Sequence, residues 1–500
     1  MAATKLGGLE GPQAAGPGPV DRKAAEHFAV VHWGPEDVAR ITGGEVLRGS
    51  GLVRGVSINS RTLRPGELFV AYKGPVHDGH CFLEDARRAG AAGLLITRVP
   101  EGGLPKDCFV VRCEDSARAF LQLSRAYREA LPACTVIGIT GTCGKTSIKD
   151  FARHLLQARR VLVAAEKSYN NRFGLPLTLF RADERCEVLL CELGTNHPGE
   201  LKELAEVAQP DIGLISMIGR GHLEGFGDLE GVFEEKASLI EQIAPDGLVV
   251  LNADDAFYPR LLERVGERRV LTYGVTHRAD LQAGALRPRA DGVHFELFDQ
   301  RPGVEGKAQV HLPLYGLHNV RNFLAALALC AALGEDPKDL CVEAASLLPS
   351  PRRLELRKGI AGATILDDSY NANPESLMAA LAVLDSWSGA RRKILVLADM
   401  GELGEDALAL HQALGRQLKG RVDLLLTLGP LAAASAEAFV EEAPRPDMAR
   451  AFLQSEPLVQ ALRDLLHEGD LVLFKGSRMM ELDCVVDQCL AQDSGQGPSN

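Results

Sequence analysis

The chain alternates between short, fully apolar runs and longer stretches in which apolar residues recur with helical spacing. Apolar runs of about four to eight residues predict buried strands, and helices between them predict parallel sheets covered on both faces. The runs predicted as strands are 66–72, 93–97, 108–111, the run that begins at Thr135, 161–165, 188–193, 212–218, 248–251, 363–367, 393–398, 422–428 and 471–474. The pattern therefore predicts an α/β fold.

Changes in this pattern divide the chain into a tail and three domains. Residues 1–27 are rich in Gly, Pro and Ala, which predicts a disordered tail. Residues 28–132 mix short strands with helical stretches at 81–88 and 116–129. Residues 133–347 predict a P-loop-type, mostly parallel sheet that ends in hairpin-like runs at 292–299 and 308–314, before a helix at 319–333. A proline-flanked stretch at 348–351 predicts a hinge to a C-terminal Rossmann-like α/β domain, 348–500.

Composition narrows the class of protein. A length of 500 residues, with 46% hydrophobic and 24% charged residues, is typical of a globular protein of about three domains. The net charge of −12 argues against broad nucleic-acid binding, which needs a basic face. No apolar run is long enough to span a membrane, and residues 1–27 lack the apolar core of a signal peptide. Together with eleven scattered cysteines, expected to be free thiols, these features predict a cytoplasmic protein without membrane insertion.

A glycine-bracketed loop follows the strand that begins at Thr135. In the stretch Thr140-Gly141-Thr142-Cys143-Gly144-Lys145-Thr146-Ser147, backbone N–H groups and a helix N-terminus would point at one phosphate. Lys145, expected to face solvent, would reach the β- and γ-phosphate oxygens, and the Thr146 hydroxyl would hold Mg²⁺. Ile139 stands where the strict pattern has its first glycine, so an ordinary glycine-rich turn is the alternative. The stretch predicts a nucleoside triphosphate site.

Three further residues are ambiguous by themselves. Glu192 ends an apolar strand, where its carboxylate would point into a ligand crevice and could bind Mg²⁺, although a solvated acid fits equally well. His222 lies in a glycine-rich loop, where a histidine is more often a surface residue or an ordinary hydrogen-bonding group. Lys236 has the spacing of a lysine on a helix surface. Their positions alone do not decide between these alternatives.

The order of these segments along the chain resembles that of the Mur ligases, the ATP-dependent amide-forming enzymes of peptidoglycan precursor synthesis. The resemblance covers the chain from about residue 30 to its C-terminus. It rests on the phosphate loop, the segments 168–178, 192–200 and 222–227, Lys236, and the segment 318–322. Four more segments, 145–150, 366–374, 399–404 and 474–478, resemble the member that joins D-alanyl-D-alanine to UDP-N-acetylmuramoyl-tripeptide.

The resemblance implies a role for each residue that matches the family pattern. It implies nucleotide contacts for Gly141, Thr142, Cys143, Gly144, Lys145, Thr146, Ser147, Asn319, Asn322, Arg353 and Asp368. It implies two Mg²⁺ ions held by Thr146, Glu192, His222 and a carbamylated Lys236, with Lys145, Lys236 and His222 as catalytic residues. It implies substrate contacts for Ser60 and Arg61, on the UDP moiety, and for Asn170, Asn171, Tyr370, Asn371, Asn373 and Lys475. The chain departs from the common family pattern at Cys143 and at Lys167-Ser168.

The resemblance therefore implies a monomeric ligase that forms an acyl phosphate from ATP and releases ADP and phosphate. One rival is another member of the superfamily, such as folylpolyglutamate synthase or an earlier Mur ligase, which the segment 368–374 disfavours. A second rival is a P-loop NTPase that switches or moves a partner, a reading that leaves no role for Lys236 or Ser60-Arg61. The sequence leaves open whether the third peptide residue is meso-diaminopimelate or L-lysine.

Overall fold

The computed structural model describes residues 31–74, 77–442 and 445–491, and these residues form three sheets flanked by helices. The expected tail at 1–27 lies outside the described residues. The sheets follow one another along the chain, which confirms the predicted three-domain α/β fold. Among the described helices, none is both long enough and apolar enough to cross a bilayer.

The N-terminal domain is built on a small sheet. Its elements are α1 (Pro35–Thr42), β1 (Glu45–Arg48), β2 (Val56–Ser57), β3 (Leu68–Val70), α2 (Leu83–Arg88), β4 (Gly93–Ile96), β5 (Phe109–Arg112) and α3 (Ser116–Glu129). The strand order is β1-β5-β4-β3-β2, with only β1 antiparallel to its neighbour. The Asp115 carboxylate accepts the backbone N–H groups of Ala117 and Arg118, which otherwise lack partners at a helix start, so α3 begins at Ser116.

The central domain carries the largest sheet. Its elements are β6 (Thr135–Thr140), α4 (Lys145–Leu156), β7 (Leu162–Ala164), α5 (Gly174–Leu179), β8 (Val188–Glu192), α6 (Glu200–Ala208), β9 (Ile212–Ile215), α7 (Leu223–Phe226), α8 (Leu229–Glu241), β10 (Leu248–Asn252), α9 (Tyr258–Val265), β11 (Arg269–Gly274), β12 (Leu281–Arg289), β13 (Gly292–Asp299), β14 (Gly306–Leu312), α10 (Leu317–Ala332) and α11 (Pro337–Leu340). The order is β14-β13-β12-β11-β10-β9-β6-β8-β7, parallel from β7 to β12 and antiparallel across β12, β13 and β14. Because β6 lies between β8 and β9, the loops after these three strands leave the sheet side by side.

The C-terminal domain is a second, mostly parallel sheet. Its elements are β15 (Glu355–Lys358), β16 (Thr364–Asp368), α12 (Pro374–Ser386), β17 (Arg392–Ala398), α13 (Ala407–Gln417), β18 (Leu424–Leu428), α14 (Pro430–Glu442), β19 (Ala449–Phe452), α15 (Ser455–Leu465), β20 (Asp470–Lys475) and α16 (Leu482–Gln488). The order is β15-β16-β20-β17-β18-β19, and only β15 is antiparallel. Each parallel strand is followed by a loop or helix at its carboxyl end, the edge at which such sheets bind ligands.

The N-terminal and central domains share one hydrophobic core. The ring of Phe180, from the central domain, packs 5.6 Å from that of Phe120 and 5.1 Å from that of Tyr127 on α3. The buried Tyr127 hydroxyl donates a hydrogen bond of 2.7 Å to the Ala182 carbonyl. The core clusters of the C-terminal domain are separate from this one, with Tyr315 and Trp387 forming an aromatic contact across the boundary at 5.0 Å.

Candidate active site

A cleft of about 870 Å³ lies where the carboxyl ends of the central strands face the C-terminal domain. Most of the residues that the sequence singled out line it: Thr142, Cys143, Gly144, Lys145, Thr146, Ser147, Asn170, Asn171, Glu192, His222, Asn319, Asn322, Arg353, Asp368, Tyr370, Asn371, Asn373 and Lys475. Gly141, Lys236, Ser60 and Arg61 are not among its lining residues. The fold thus brings together side chains that are more than 300 residues apart in the sequence, as for Thr142 and Lys475.

The phosphate loop lies between β6 and α4. Gly144 caps the helix with φ of +88°, and a Cβ there would approach the Asn322 Oδ1 to 2.5 Å, so a glycine is required. Lys145 Nζ donates to the carbonyls of Gly141 at 2.5 Å and Thr142 at 3.3 Å. The lysine is therefore half-buried and curled into its own loop, and the expectation that it faces solvent was wrong. Burial lowers the pKa of Lys145 from its ordinary value.

An oxygen-rich cluster lies beside this loop, at the carboxyl end of β8. Glu192 is only 2% exposed, and its Oε2 accepts a hydrogen bond of 3.0 Å from the Thr146 hydroxyl. Its Oε1 accepts a bond of 3.0 Å from the Asn170 amide. Carboxylate and hydroxyl oxygens are the ligands that Mg²⁺ prefers, so this cluster is chemically suited to a hard cation next to the phosphate loop. Glu192 is a buried, converging group and not a solvated acid.

Lys236 lies on α8 and is 1% exposed, which contradicts its interpretation from spacing as a helix-surface lysine. Its Nζ donates a hydrogen bond of 2.6 Å to the Thr195 hydroxyl and lies 5.3 Å from the centre of the Phe226 ring. Desolvation, with the positive charge of Lys145 as a further cause, lowers the pKa of Lys236 to about 7. Thr195 lines the cleft, so Lys236 lies directly behind the cleft wall, separated from the cleft by the Thr195 side chain.

His222 is at the start of α7, in a left-handed backbone conformation with φ of +57°. Its Nδ1 lies 2.5 Å from Oε2 of Glu402, a residue of the C-terminal domain, and the imidazole holds the pKa of that carboxyl below its ordinary value. A second contact supports the first, since the Glu224 backbone N–H donates to the Glu402 carbonyl at 3.1 Å. The sequence did not identify Glu402 as a site residue, although the segment 399–404 that contains it was part of the resemblance.

The C-terminal domain reaches the phosphate loop through polar side chains. Arg353 donates to the Thr146 hydroxyl at 3.1 Å, and its guanidinium lies 4.4 Å from the centre of the Tyr370 ring. The Tyr370 hydroxyl donates to the Ser168 hydroxyl at 2.6 Å. The Asn373 amide, which also caps α12, lies 3.2 Å from the Cys143 sulfur. These contacts join the two domains that form the opposite sides of the cleft.

A buried ion pair supports the floor of the C-terminal side. Lys475 Nζ lies 2.8 Å from Asp368 Oδ2 and donates to the Asn371 carbonyl at 2.6 Å. Burial raises the pKa of Asp368, and Lys475 opposes that shift. The neighbouring His318 is neutral at physiological pH, because burial and the charge of Lys475 lower its pKa to about 4. Asn319, one residue on, uses its amide to donate to the Tyr315 carbonyl at 2.9 Å.

The predicted UDP-contacting residues lie elsewhere. Ser60 and Arg61 are in a turn after β2, where the Arg61 backbone N–H donates to Asn59 Oδ1 at 3.0 Å. Both are exposed or half-exposed, and neither lines the cleft. Their role stays a prediction. Asn171, which does line the cleft, uses its side-chain oxygen to accept the backbone N–H groups of Phe173 and Gly174, so it also shapes the start of α5.

Comparison with solved structures supports the shape of this arrangement. MurF from Acinetobacter baumannii superposes with a TM-score of 0.81 at 26% identity, covering 92% of this chain and 99% of that one. MurF ligase from Thermotoga maritima in complex with ADP superposes with a TM-score of 0.75 at 27% identity, covering 87% of this chain and 97% of that one.

Comparison of sequences agrees with this. Three family descriptions match in order along the chain: the Mur ligase family catalytic domain at residues 52–102, the Mur ligase middle domain at 139–330, and the Mur ligase glutamate ligase domain at 352–478. The UDP-N-acetylmuramoyl-tripeptide–D-alanyl-D-alanine ligase of Bacillus subtilis is 34% identical over 437 residues, or 87% of this chain and 93% of that protein. The chain belongs to the Mur ligase family.

Proposed function

We propose that the protein is an ATP-dependent amide ligase that joins D-alanyl-D-alanine to UDP-N-acetylmuramoyl-tripeptide. The observation that carries this proposal is the single cleft in which the phosphate loop, the Glu192 cluster and the C-terminal side chains converge. The similarity to the Bacillus subtilis ligase, which extends over most of both chains, supports the choice of substrates.

The first step makes the tripeptide carboxylate reactive. A carboxylate is a poor acyl donor because its leaving group would be oxide. One carboxylate oxygen attacks the γ-phosphorus of ATP, ADP leaves, and the product is an acyl phosphate whose leaving group is phosphate. In this step the loop N–H groups hold the phosphoryl oxygens, and Lys145 turns from its loop carbonyls to meet them while charge redistributes. The contact of Arg353 with the Thr146 hydroxyl supports a second positive charge acting on the same oxygens from the other domain.

The second step forms the amide. The amine nitrogen of D-alanyl-D-alanine attacks the acyl carbon, the tetrahedral intermediate expels phosphate, and the nitrogen loses a proton to solvent or a base. Acyl phosphates hydrolyse, so water must be kept out until the amine arrives. The contacts of Arg353, Tyr370 and Glu402 with the central domain close the cleft and serve this purpose.

The donor set of the cleft fits the Mg²⁺ ions that the resemblance implies. Thr146 and Glu192 supply converging oxygens next to the phosphate loop, and His222 lies across the cleft as a nitrogen donor. Bound Mg²⁺ would offset the negative charge of the phosphates. The protein holds these donors close to the carboxyl ends of three neighbouring strands, β9, β6 and β8.

The surroundings of Lys236 fit carbamylation. An amine with a pKa of about 7 is largely neutral under mildly basic conditions, and its free electron pair can attack the carbon of CO₂. The nitrogen–carbon bond forms, one proton is released, and a carbamate with carboxylate-like oxygens results. Such a group converts a cation that would repel Mg²⁺ into an oxygen ligand. Thr195 then lies within reach of the modified side chain.

We further propose that the protein acts as a monomer in the cytoplasm, where ATP and UDP-linked precursors occur together. One chain already brings the phosphate loop, the Glu192 cluster and the C-terminal side chains together in the cleft, which supports a monomer as the working unit. Sedimentation at the concentration used for assays would check the monomeric state.

The test of the ligase activity is ADP release by the purified protein. We expect ADP release to require both UDP-N-acetylmuramoyl-tripeptide and D-alanyl-D-alanine, since the acyl phosphate stays protected until the amine arrives. Omitting D-alanyl-D-alanine is the matched control, and L-alanyl-L-alanine tests the acceptor. Equal ADP release with ATP alone would favour a nucleotide-driven switch and exclude the ligase.

A further inference from the structure

A second group of metal-binding side chains lies on the antiparallel edge of the central sheet. His294 on β13 and His311 on β14 are direct partners in the strand register. Their rings stack with centroids 4.3 Å apart and planes inclined by 9°. Asp291 lies in the turn between β12 and β13, and the ligand atoms of the three side chains are all within 4.8 Å of one another. None of the three lines the cleft.

Both imidazoles direct a nitrogen at Asp291. His294 Nε2 is 3.2 Å from each carboxylate oxygen of Asp291, and His311 Nε2 is 3.1 Å from the Asp291 backbone carbonyl and 3.4 Å from its Oδ2. Zinc bonds to nitrogen and oxygen of about 2.0–2.2 Å place tetrahedral ligands roughly 3.4 Å apart. The distances from the Asp291 carboxylate to each imidazole nitrogen are therefore those between ligands that share one ion. The two rings are stacked nearly in parallel, so they must turn on binding to aim both nitrogen electron pairs at that ion.

The backbone on either side of Asp291 is fixed. Gly292 has φ of +123°, and a Cβ there would collide with the Leu312 carbonyl, so the start of β13 lies directly against the end of β14. On the other side, the Tyr315 hydroxyl donates to the Ala290 carbonyl at 2.8 Å. Because its neighbours are held in this way, the backbone of Asp291 is already positioned beside the two histidines, which lowers the ordering cost of binding.

We propose that Asp291, His294 and His311 form a binding site for a divalent first-row transition-metal ion of the Zn²⁺ type, with water completing the coordination. Two imidazoles and one carboxylate suit Zn²⁺, Co²⁺ or Ni²⁺, whereas Mg²⁺ is held mainly by oxygen ligands, which Thr146 and Glu192 supply in the cleft. The site takes a different class of ion from the one that the cleft requires. A bound ion cross-links the turn to both strands of the hairpin and so stabilises the edge of the sheet next to Tyr315.

The experiment measures Zn²⁺ binding to the full chain by equilibrium dialysis in millimolar Mg²⁺, which keeps oxygen-rich sites saturated. The variants are D291N, H294A and H311A. The control is H32A, which removes an exposed histidine outside the cluster. We expect one Zn²⁺ ion per wild-type chain, bound at least tenfold more weakly by each cluster variant and unchanged in H32A. Circular dichroism of every variant verifies that it is folded.

The H222A variant separates this site from the cleft, because the His222 imidazole is another nitrogen donor. Zn²⁺ binding that persists in H222A and is lost in H294A and H311A supports the proposal. Binding that is unchanged in the three cluster variants, or lost only in H222A, overturns it. A visible Co²⁺ spectrum that disappears in H294A but not in H222A gives a second readout that is independent of ligase activity.

Discussion

The central domain meets its two neighbours through boundaries of opposite chemistry. Towards the N-terminal domain the boundary is apolar: Phe120, Tyr127 and Phe180 pack in a core that belongs to both domains. Towards the C-terminal domain it is mainly polar, with contacts such as Arg353 to Thr146 and His222 to Glu402. Apolar burial stabilises a fixed arrangement, whereas a few polar contacts can open and close around a ligand at little cost. The boundary with the N-terminal domain therefore contributes stability, whereas the boundary with the C-terminal domain contains the groups proposed for the reaction.

Lys145→Ala removes a positive charge from the cleft at the polar boundary, and we expect it to slow turnover more than the other substitutions. We expect the rate of substrate-dependent ADP release to fall at least about 10²–10³-fold, because a charge that meets the transferred phosphoryl group is removed. The midpoint of thermal unfolding should stay that of the wild type, since Lys145 bonds only to carbonyls of its own loop. Lys202→Ala, which removes an exposed lysine on α6, is the control. A variant with near wild-type turnover would remove the loop from the mechanism.

Lys236→Ala tests whether a residue behind the cleft wall, in contact with Thr195, takes part in the reaction. We expect a nearly inactive enzyme that acetate partly restores, because a small carboxylate can occupy the space of the carbamate. The pKa of Lys236 is lowered to about 7, so the neutral amine exists above that pH and is lost as the pH falls through it. Wild-type activity in CO₂-limited buffer should therefore decline below about pH 7. Full activity of Lys236→Ala, without acetate, contradicts the carbamate.

Glu402→Gln weakens a contact between the two sides of the cleft without touching either core. We expect turnover to fall about tenfold and the Mg²⁺ requirement to rise, because the carboxylate orients the His222 imidazole and the amide lacks its charge. Glu405→Gln changes an exposed acid of the same loop and should leave turnover unchanged. Steady-state kinetics at varied Mg²⁺ would distinguish the two, and equal kinetics of both variants would argue against this role.

Tyr127→Phe tests the apolar boundary and should leave turnover per folded molecule unchanged. The substitution removes the hydrogen bond from the Tyr127 hydroxyl and leaves the buried Ala182 carbonyl without that donor. We expect this to lower the free energy of unfolding by about 1–3 kcal/mol. Urea unfolding measured beside Tyr258→Phe, a half-buried tyrosine on α9, checks the expected loss. If Tyr127→Phe instead slowed turnover with unchanged stability, the division between the two boundaries would be wrong.

The sequence predicted strands that are both long and fully buried, and it missed strands that are partly exposed or, like the two-residue β2, very short. Strands such as β8 and β18 are buried along their whole length, and their apolar runs identified them. The edge strands β1, β15 and β19 were missed because all their side chains are half-buried or exposed, which leaves no apolar run to detect. The hairpin-like runs predicted at 292–299 and 308–314 are confirmed as β13 and β14, which form an antiparallel edge together with β12.

The candidate site shows the same limit for side chains. The phosphate loop was predictable because a strand, a glycine bracket and a helix follow one another directly in the chain. The burial of Lys236 was not, since it depends on Phe226 and Thr195, which lie on other segments and meet it only in the folded protein. The contact between His222 and Glu402 joins residues of two domains, so no spacing along the chain could indicate it.

The hydrophobic core that contains Phe120, Tyr127 and Phe180 also determines which parts of the protein unfold together. Three independent sheets would unfold separately, but the first two are packed by the same side chains and must lose their order together. Calorimetry should accordingly resolve two cooperative transitions instead of three. Nucleotide should shift both of them upwards together, because a ligand held between the two units binds only when both are folded.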